Sequence, residues 1–139
     1  MKIKLFKDIK LPKKSHLPDV GLDIFLPEAF TIRPLETLTI DLGFGVSIPE
    51  GTCGLIIPRS SIAEKGLIIQ TSAIDPDYSY SIHLIITNCS NNTYSFNVND
   101  RVCSLVCVNV INPFLQIVDN LDSFERGDKG LGSTGRWKS

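Results

Sequence analysis

The sequence predicts a single all-β domain, built as a barrel or a sandwich, from three observations. The chain has 139 residues, the length of one ordinary domain, and 42% of them are apolar, which is enough to fill one core. Short stretches rich in Ile, Val, Thr and Phe recur along it, and residues typical of turns separate them. The stretches predicted to be strands span residues 30–32, 38–42, 46–48, 53–57, 67–70, 82–87, 94–98 and 102–110.

The connections between these stretches contain residues that favour turns. Pro49-Glu50-Gly51 combines a fixed φ with a glycine that tolerates positive φ, and Asn91-Asn92 offers a similar tolerance. Asn99-Asp100 stands where a turn should precede the last predicted strand. We expect Asp100 to pair with Arg101 at this turn and to have an architectural role.

One short stretch, residues 60–65, is predicted to be helical. Ser60 or Ser61 can cap the Ala-Glu-Lys sequence that follows, and Gly66 ends it. The stretch is too short to be more than a local feature of an all-β domain.

The charge pattern gives no indication of a nucleic-acid or membrane partner. The formal net charge is −1, and the six lysines among residues 1–14 are interpreted as a solvated edge. No stretch reaches the roughly 20 apolar residues of a membrane span, and the N-terminus lacks the apolar core of a signal peptide. We expect an intracellular, cytoplasmic protein, with a nuclear location left open.

The four cysteines are Cys53, Cys89, Cys103 and Cys107, and their spacing does not match a zinc site. If Cys103 and Cys107 share a strand, four residues separate them by roughly 13 Å, too far for a shared metal or a disulfide. We expect buried free thiols.

The composition changes at residue 123, so residues 1–122 are predicted to be the folded domain and residues 123–139 a C-terminal tail. Glycines alternate in the tail with Arg126, Lys129, Arg136 and Lys138. Such a segment cannot bury enough apolar area to fold alone, so it either stays disordered or becomes ordered around a ligand. Glycine backbones and arginine side chains suit a polyphosphate.

Five segments of the chain together resemble the dUTPase family, the trimeric β-fold dUTP nucleotidohydrolases. They are DVGLD at 19–23, PRSSIA at 58–63, AIDPDY at 73–78, NDRVCSL at 99–105 and RGDKGLGSTG at 126–135. The resemblance implies a jelly-roll-like β-barrel or sandwich with a flexible Gly-rich C-terminal arm. It also implies a homotrimer with sites at subunit interfaces, and hydrolysis of dUTP to dUMP and pyrophosphate by water attack at the α-phosphorus.

The resemblance assigns the chemistry to particular residues. Asp75 would be the catalytic base that orients and activates the attacking water, as a positioned carboxylate is suited to do. Arg59, Ser60 and Ser61 would contact the phosphates, which agrees with the anion-binding character of these groups. Asp23 would hold Mg²⁺ indirectly, through ordered water, because Mg²⁺ bound to a triphosphate keeps several waters.

The base and sugar would bind around the third segment. Backbone groups of Ser72, Ala73 and Ile74, with the strand through His83, would pair with the edge of uracil. The ring of Tyr78 would lie under the deoxyribose and leave no room for a 2′-hydroxyl. His83 is interpreted as structural rather than catalytic. The arm residues implied to contact the nucleotide are Arg126, Leu131, Gly132, Ser133 and Thr134.

Four residues depart from the family pattern. Ser72 and Tyr80 replace common glycines, Ser104 replaces a glutamine that helps to hold phosphate and water, and Leu131 replaces an aromatic that stacks on uracil. The bulky Tyr80 implies a shifted backbone beside the uracil hairpin. The alternative function is therefore a catalytically weakened dUTPase-fold module that binds a nucleotide or a protein partner. Deamination of dCTP is a third possibility, but no second carboxylate is evident for it.

Truncation after Asp122 tests the role assigned to the tail. We expect the truncated chain to stay folded and trimeric but to bind dUTP poorly and turn it over very slowly, because the arm supplies phosphate donors and excludes water. Pyrophosphate release by the full-length and truncated proteins is the measurement. Full activity after truncation would show that the arm does not close the site.

Overall fold

The fold is given by a computed structural model that describes residues 1–122. The tail predictions for Arg126, Leu131, Gly132, Ser133 and Thr134 lie outside these residues. The described chain forms eleven strands and one short helix: β1 Ile3–Leu5, β2 Leu22–Phe25, β3 Phe30–Ile32, β4 Thr37–Asp41, β5 Phe44–Val46, β6 Thr52–Pro58, α1 Ser60–Ala63, β7 Leu67–Ile69, β8 Ala73–Ile74, β9 His83–Asn88, β10 Tyr94–Phe96 and β11 Arg101–Asn109.

The strands form four antiparallel sheets, which confirms the all-β prediction. The largest sheet has the order β2-β11-β6-β8, and a second has the order β4-β9-β7. Two further pairs, β1-β5 and β3-β10, complete the described part of the chain. The sheets in residues 1–122 are not closed, so the architecture is a jelly-roll-like sandwich rather than a closed barrel.

Alternating burial along the strands builds the core between the sheets. In β9, Leu84, Ile86 and Asn88 are fully buried while His83 is exposed. This period of two is the pattern of a strand with one buried face. The one buried polar side chain in the described residues, Asn88, is satisfied by hydrogen bonds with the carbonyls of Ile32 and Asn92 and with Ser90.

The predicted strands are present, with boundaries shifted by one or two residues. The largest shift is in β5, which lies at Phe44–Val46 rather than at 46–48. Three strands were not predicted: β1, β2 and β8. Strand β1 is exposed along its whole length and alternates with lysines, and β8 has only two residues. Neither carries the hydrophobic pattern that marks a buried strand.

Two of the three predicted turns contain a residue with positive φ, whereas neither residue of Asn91-Asn92 has positive φ. Gly51 has a φ of 75°, and the N–H of Thr52 donates to the carbonyl of Pro49 at 3.2 Å. Asn99 has a φ of 69°, one of two positive values among the described non-glycine residues. Asparagine tolerates this conformation better than most residues.

The predicted helical turn is shorter and begins differently. Helix α1 spans Ser60–Ala63, and its N-cap residue is Arg59, without a side-chain capping bond. The prediction that Ser60 or Ser61 caps the helix is therefore wrong. Both serines are exposed and lie in the first turn, where their hydroxyls are not used as caps.

All four cysteines are free, as predicted, but only Cys103 is buried. Burial, together with the nearby charge of Asp23, raises the pKa of the Cys103 thiol to about 12, so it stays protonated. Cys89 and Cys107 are exposed and Cys53 is half-buried, so the expectation of burial is wrong for these three. Within residues 1–122, no helix has the length and hydropathy to cross a membrane.

Candidate active site

A pocket of about 200 Å³ lies between β8 and the start of β9. It brings together five residues that the sequence assigned to nucleotide binding: Ser72, Ala73, Ile74, Tyr78 and His83. The sequence analysis did not identify its other walls: Ile56, Gln70, Ile82 and Ile85. Isoleucines with a few convergent polar groups are the usual lining of a small-molecule pocket.

Asp75 lies directly after β8, next to this pocket. Its side chain is exposed, and its backbone carbonyl accepts a hydrogen bond from the N–H of Tyr78 at 3.1 Å. This turn places the carboxylate of Asp75 and the ring of Tyr78 on one short loop. A water molecule therefore has free access to Asp75.

A backbone carbonyl holds the two aromatic side chains of the pocket. The hydroxyl of Tyr78 donates to the carbonyl oxygen of Ser81 at 2.9 Å, and Nδ1 of His83 lies 3.0 Å from the same oxygen. His83 therefore orients its ring through the backbone, in agreement with a structural role. Sequence reasoning missed Ser81, because its backbone carbonyl acts independently of its side-chain type.

Asp41, at the end of β4, lies beneath this loop. Its Oδ1 accepts hydrogen bonds from the hydroxyl of Ser81 and from the N–H of Gly43. Hydrogen bonding from Ser81 and Gly43 outweighs partial burial and, with the charge of Lys7, holds the pKa of Asp41 below its usual value. Sequence reasoning also missed Asp41, which is forty positions from Ser81.

Tyr80 fits the loop without unusual backbone geometry. Its φ is not positive, the residue is 71% exposed, and its ring contacts that of Tyr78 edge-on with centroids 6.0 Å apart. The loop instead depends on Gly45, since a Cβ at that position would lie 2.6 Å from the carbonyl oxygen of Tyr80. Glycine at position 45 allows this close approach.

A second cluster of polar groups surrounds Asp23 on β2. Oδ2 of Asp23 accepts hydrogen bonds from Ser15 at 2.7 Å and from Arg101 at 2.9 Å, while Oδ1 accepts one from Ser104 at 3.1 Å. Nε of Arg59 lies 3.8 Å from Oδ1. The register of β2 against β11 places Ser104 opposite Asp23.

The surroundings of Asp23 keep it ionised. Burial alone would raise its pKa, but hydrogen bonds from Ser15 and Ser104 and the charges of Arg59 and Arg101 together hold the pKa below its usual value. The side chain is only 15% exposed.

The expected pairing of Asp100 with Arg101 is wrong. Arg101 binds Asp23, and Asp100 instead accepts a hydrogen bond from the N–H of Asn97 at 2.7 Å. Adjacent strand residues point to opposite faces, so a partner across the sheet is better placed for Arg101 than its neighbour in sequence. Its role is still architectural, because it ties β11 to β2.

Arg59 is anchored beside Ser60 and Ser61. Its N–H donates to the carbonyl of Val102 at 3.2 Å, and its guanidinium donates to the carbonyl of Arg101 at 3.2 Å. The side chain remains 35% exposed. The anchored guanidinium of Arg59 and the exposed hydroxyls of Ser60 and Ser61 are hydrogen-bond donors of the kind that bind an anionic ligand.

The pocket and the Asp23 cluster lie at opposite edges of the largest sheet, whose strand order is β2-β11-β6-β8. Asp23 lies on β2 and Ile74 lies on β8. Three strand spacings of about 4.8 Å each place these two strands roughly 14 Å apart. The two groups of predicted site residues are therefore separate within one chain.

The Asp23 cluster does not form a direct metal site. Within residues 1–122, no group of three or more His, Cys, Asp or Glu side chains is placed to hold a metal ion. The three hydrogen bonds to Asp23 leave one acceptor position, on Oδ1. The carboxylate therefore fits a hydrogen bond from ordered water, but not the direct ligation that a divalent cation would need.

An open β-sandwich with this pocket defines a small-molecule-binding protein of the jelly-roll-like class. A family model described as dUTPase matches residues 7–135. The chain belongs to the dUTPase family.

Two poxvirus proteins illustrate the relationship. The deoxyuridine 5′-triphosphate nucleotidohydrolase of Variola virus is 38% identical over 128 residues, which cover 91% of this chain and 86% of the relative. The protein of the same description from Monkeypox virus is 36% identical over 126 residues, which cover 91% of this chain and 83% of the relative.

Solved structures agree in fold. A mutant dUTPase of Staphylococcus bacteriophage 80alpha with dUpNHpp superposes with a TM-score of 0.87 at 29% identity and covers 96% of each chain. A mutant dUTPase of phage phi11 of S. aureus gives a TM-score of 0.79 at 28% identity, and the match covers 86% of this chain and 96% of the phage chain. That structure describes the coordination of a structural Mg(II) ion.

The lowered pKa of Asp23 predicts an acid-dependent loss of stability. Ionised Asp23 stabilises the folded chain above its unfolded pKa of about 3.8, and this contribution is lost as the pH falls through the lower folded pKa. Between about pH 7 and about pH 3, the urea midpoint should therefore fall less in Asp23→Asn than in the parent protein. Asp8→Asn, at an exposed position, is the control. An equal fall in the Asp23→Asn variant and the parent would contradict the role of this carboxylate.

Proposed function

We propose that this protein is a dUTP diphosphatase that hydrolyses dUTP to dUMP and pyrophosphate. The observation that carries the proposal is the pocket formed by Ser72, Ala73, Ile74, Tyr78 and His83 next to an exposed Asp75. Membership of the dUTPase family and the phage relative with dUpNHpp support the same reaction.

In this mechanism, Asp75 accepts a proton from a water molecule as the water oxygen bonds to the α-phosphorus. The bond from the α-phosphorus to the bridging oxygen breaks, and pyrophosphate leaves. Exposure of Asp75 beside the pocket allows water to reach it. A positioned general base of this kind contributes typically 10²–10⁴-fold to the rate.

The pocket is suited to a pyrimidine base and a deoxyribose. Backbone groups of Ser72, Ala73 and Ile74 would pair with the uracil edge, and the ring of Tyr78 would lie under the sugar. The Ser81 carbonyl holds the side chains of Tyr78 and His83, so these two rings are positioned before substrate binds. Preorganised groups lose little conformational entropy on binding.

The phosphates are assigned to a different group of donors. Arg59, Ser60 and Ser61 present a guanidinium and two exposed hydroxyls. Ser104 would act through Asp23, to which it donates, rather than as a direct substitute for a longer glutamine. The arm residues Arg126, Leu131, Gly132, Ser133 and Thr134 would close over the nucleotide, and this assignment rests on the sequence.

Mg²⁺ is proposed to arrive with the triphosphate. When bound, it would neutralise part of the phosphate charge. Asp23 fits this role through ordered water, because it is ionised and has one acceptor position left. The structural Mg(II) ion of the phage phi11 relative supports the use of this metal in the family.

A homotrimer is proposed because one chain leaves its site incomplete and a long apolar segment uncovered. Phe114, Leu115 and Ile117 in the segment 111–122 are fully exposed. Several large, exposed apolar side chains within a few residues of one another are typical of an interface with another subunit. Subunit assembly would also bring a phosphate segment from one chain to the pocket of another, since the two are separate within a chain.

An intracellular, cytoplasmic location is proposed from the thiol chemistry. All four cysteines are free, which agrees with a reducing compartment.

Asp75→Asn tests the mechanism. We expect the fold and binding of dUpNHpp to persist while pyrophosphate release from dUTP falls by at least a factor of roughly 10²–10⁴, because the variant cannot accept the proton. Asp77→Asn, two residues away and also exposed, is the matched control and should keep its rate. An unchanged rate in Asp75→Asn removes that residue from the mechanism, and an inactive parent protein favours the binding-module alternative.

The trimer is tested by light scattering. The mass should be close to three times the 15.4 kDa of one chain. Introducing charge with Phe114→Asp and Ile117→Asp together should shift the protein towards monomer, because both side chains are expected to be buried against another subunit. Asp119→Asn in the same segment is the control. A parent protein that stays monomeric at micromolar concentration would contradict sites built at subunit interfaces.

A further inference from the structure

The charged side chain of Asp41 does not line the pocket, but it is hydrogen-bonded to the loop that carries the pocket residue Tyr78. Asp41 is the last residue of β4 and stands opposite His83 in the pairing of β4 with β9. Its Oδ1 accepts hydrogen bonds from the Ser81 hydroxyl and from the N–H of Gly43. Nζ of Lys7 lies 3.6 Å from its Oδ2. These contacts connect Asp41 to the loop that carries the pocket rings.

Ser81 connects Asp41 to the two rings. Its side chain donates to Asp41, while its backbone oxygen accepts the hydroxyl of Tyr78 and contacts Nδ1 of His83. The next residue, Ile82, is hydrogen-bonded on both sides, its N–H to Phe44 and its carbonyl to Leu42. Ser81 is therefore held at its side chain by Asp41 and at its following peptide by β5.

The loop before Ser81 has fewer restraints. From Asp75 to Ser81, the backbone hydrogen bond in the described chain is the one from Tyr78 N–H to Asp75. The approach of the Tyr80 carbonyl to Gly45 adds a packing contact. The Ser81–Asp41 bond is thus one of two side-chain links between Ser81 and the sandwich, and the other is the contact of His83 Nδ1 with the Ser81 carbonyl.

We propose that Asp41 and Ser81 form a positioning pair that sets the distance between the Tyr78 ring and the sugar site, and so determines the preference for a 2′-deoxyribonucleotide. The inference rests on the proposed function, in which Tyr78 lies under the deoxyribose. Neither residue touches the reacting atoms. Loss of the pair should let the Tyr78 loop move away and admit a 2′-hydroxyl.

The test compares dUTP with UTP in four variants. Ser81→Ala removes the donor of the bond, Asp41→Ala removes the acceptor, the double variant removes both, and Ser81→Thr keeps a hydroxyl. Ser79→Ala, in the same loop but without a side-chain hydrogen bond among the described residues, is the control. Thermal denaturation of each variant checks folding.

We expect Ser81→Ala and Asp41→Ala each to raise KM for dUTP about three- to tenfold and to lower the ratio of kcat/KM for dUTP to that for UTP by a similar factor, with kcat for dUTP within about twofold of the parent. A three- to tenfold change corresponds to about 0.7–1.4 kcal/mol, which is the net contribution of a typical hydrogen bond. The double variant should be no worse than the single ones, and Ser81→Thr should restore the ratio.

Three results would overturn the inference: an unchanged dUTP to UTP ratio in both single variants, additive effects in the double variant, or a loss of kcat and thermal stability with the ratio preserved. Failure of the proposed function is distinguishable, because it appears in the parent protein. If the parent binds dUTP without hydrolysing it, the affinities for dUTP and UTP replace the rates and the same comparison applies. If the parent binds neither, both proposals fail.

Discussion

The pairing of one long strand with two neighbours organises the polar chemistry of this molecule. Strand β11 runs for nine residues between β2 and β6, and its register sets which side chains meet. It places Ser104 opposite Asp23 and brings Arg101 to the same carboxylate. Arg101 is three residues from Ser104, and the register shifts between Arg101 and Cys103. A slip of one residue would turn Ser104 away from Asp23, so the cluster depends directly on this register.

The Asp23 cluster and the pocket differ in how they are stabilised. The cluster is an ion pair with hydrogen bonds in a partly desolvated setting, where a carboxylate without its arginine partners would be costly. The pocket is apolar on its walls and gains its order from one carbonyl oxygen. Charge is thus concentrated where phosphates are proposed to bind, while the pocket for the base stays largely uncharged.

Sequence reasoning named five of the residues that line the pocket, but neither its remaining walls nor the groups that support it. The order of Ser72, Ala73, Ile74 and Tyr78 is local, so a short motif identifies them, and the alternating strands around them follow from hydrophobic periodicity. Ser15, Asp41 and Ser81 act through partners distant in sequence or through the backbone. Their contacts exist only after the strands are paired, which is why no local pattern predicts them.

The segment 111–122 has a consequence for a chain that has not joined the proposed trimer. Its fully exposed Phe114, Leu115 and Ile117 form a hydrophobic stretch of the type that chaperones and proteases recognise on incomplete proteins. A subunit without partners would carry its own degradation signal, and association would hide it. In the proposed trimer, proteolysis would then remove unassembled subunits in preference to assembled ones.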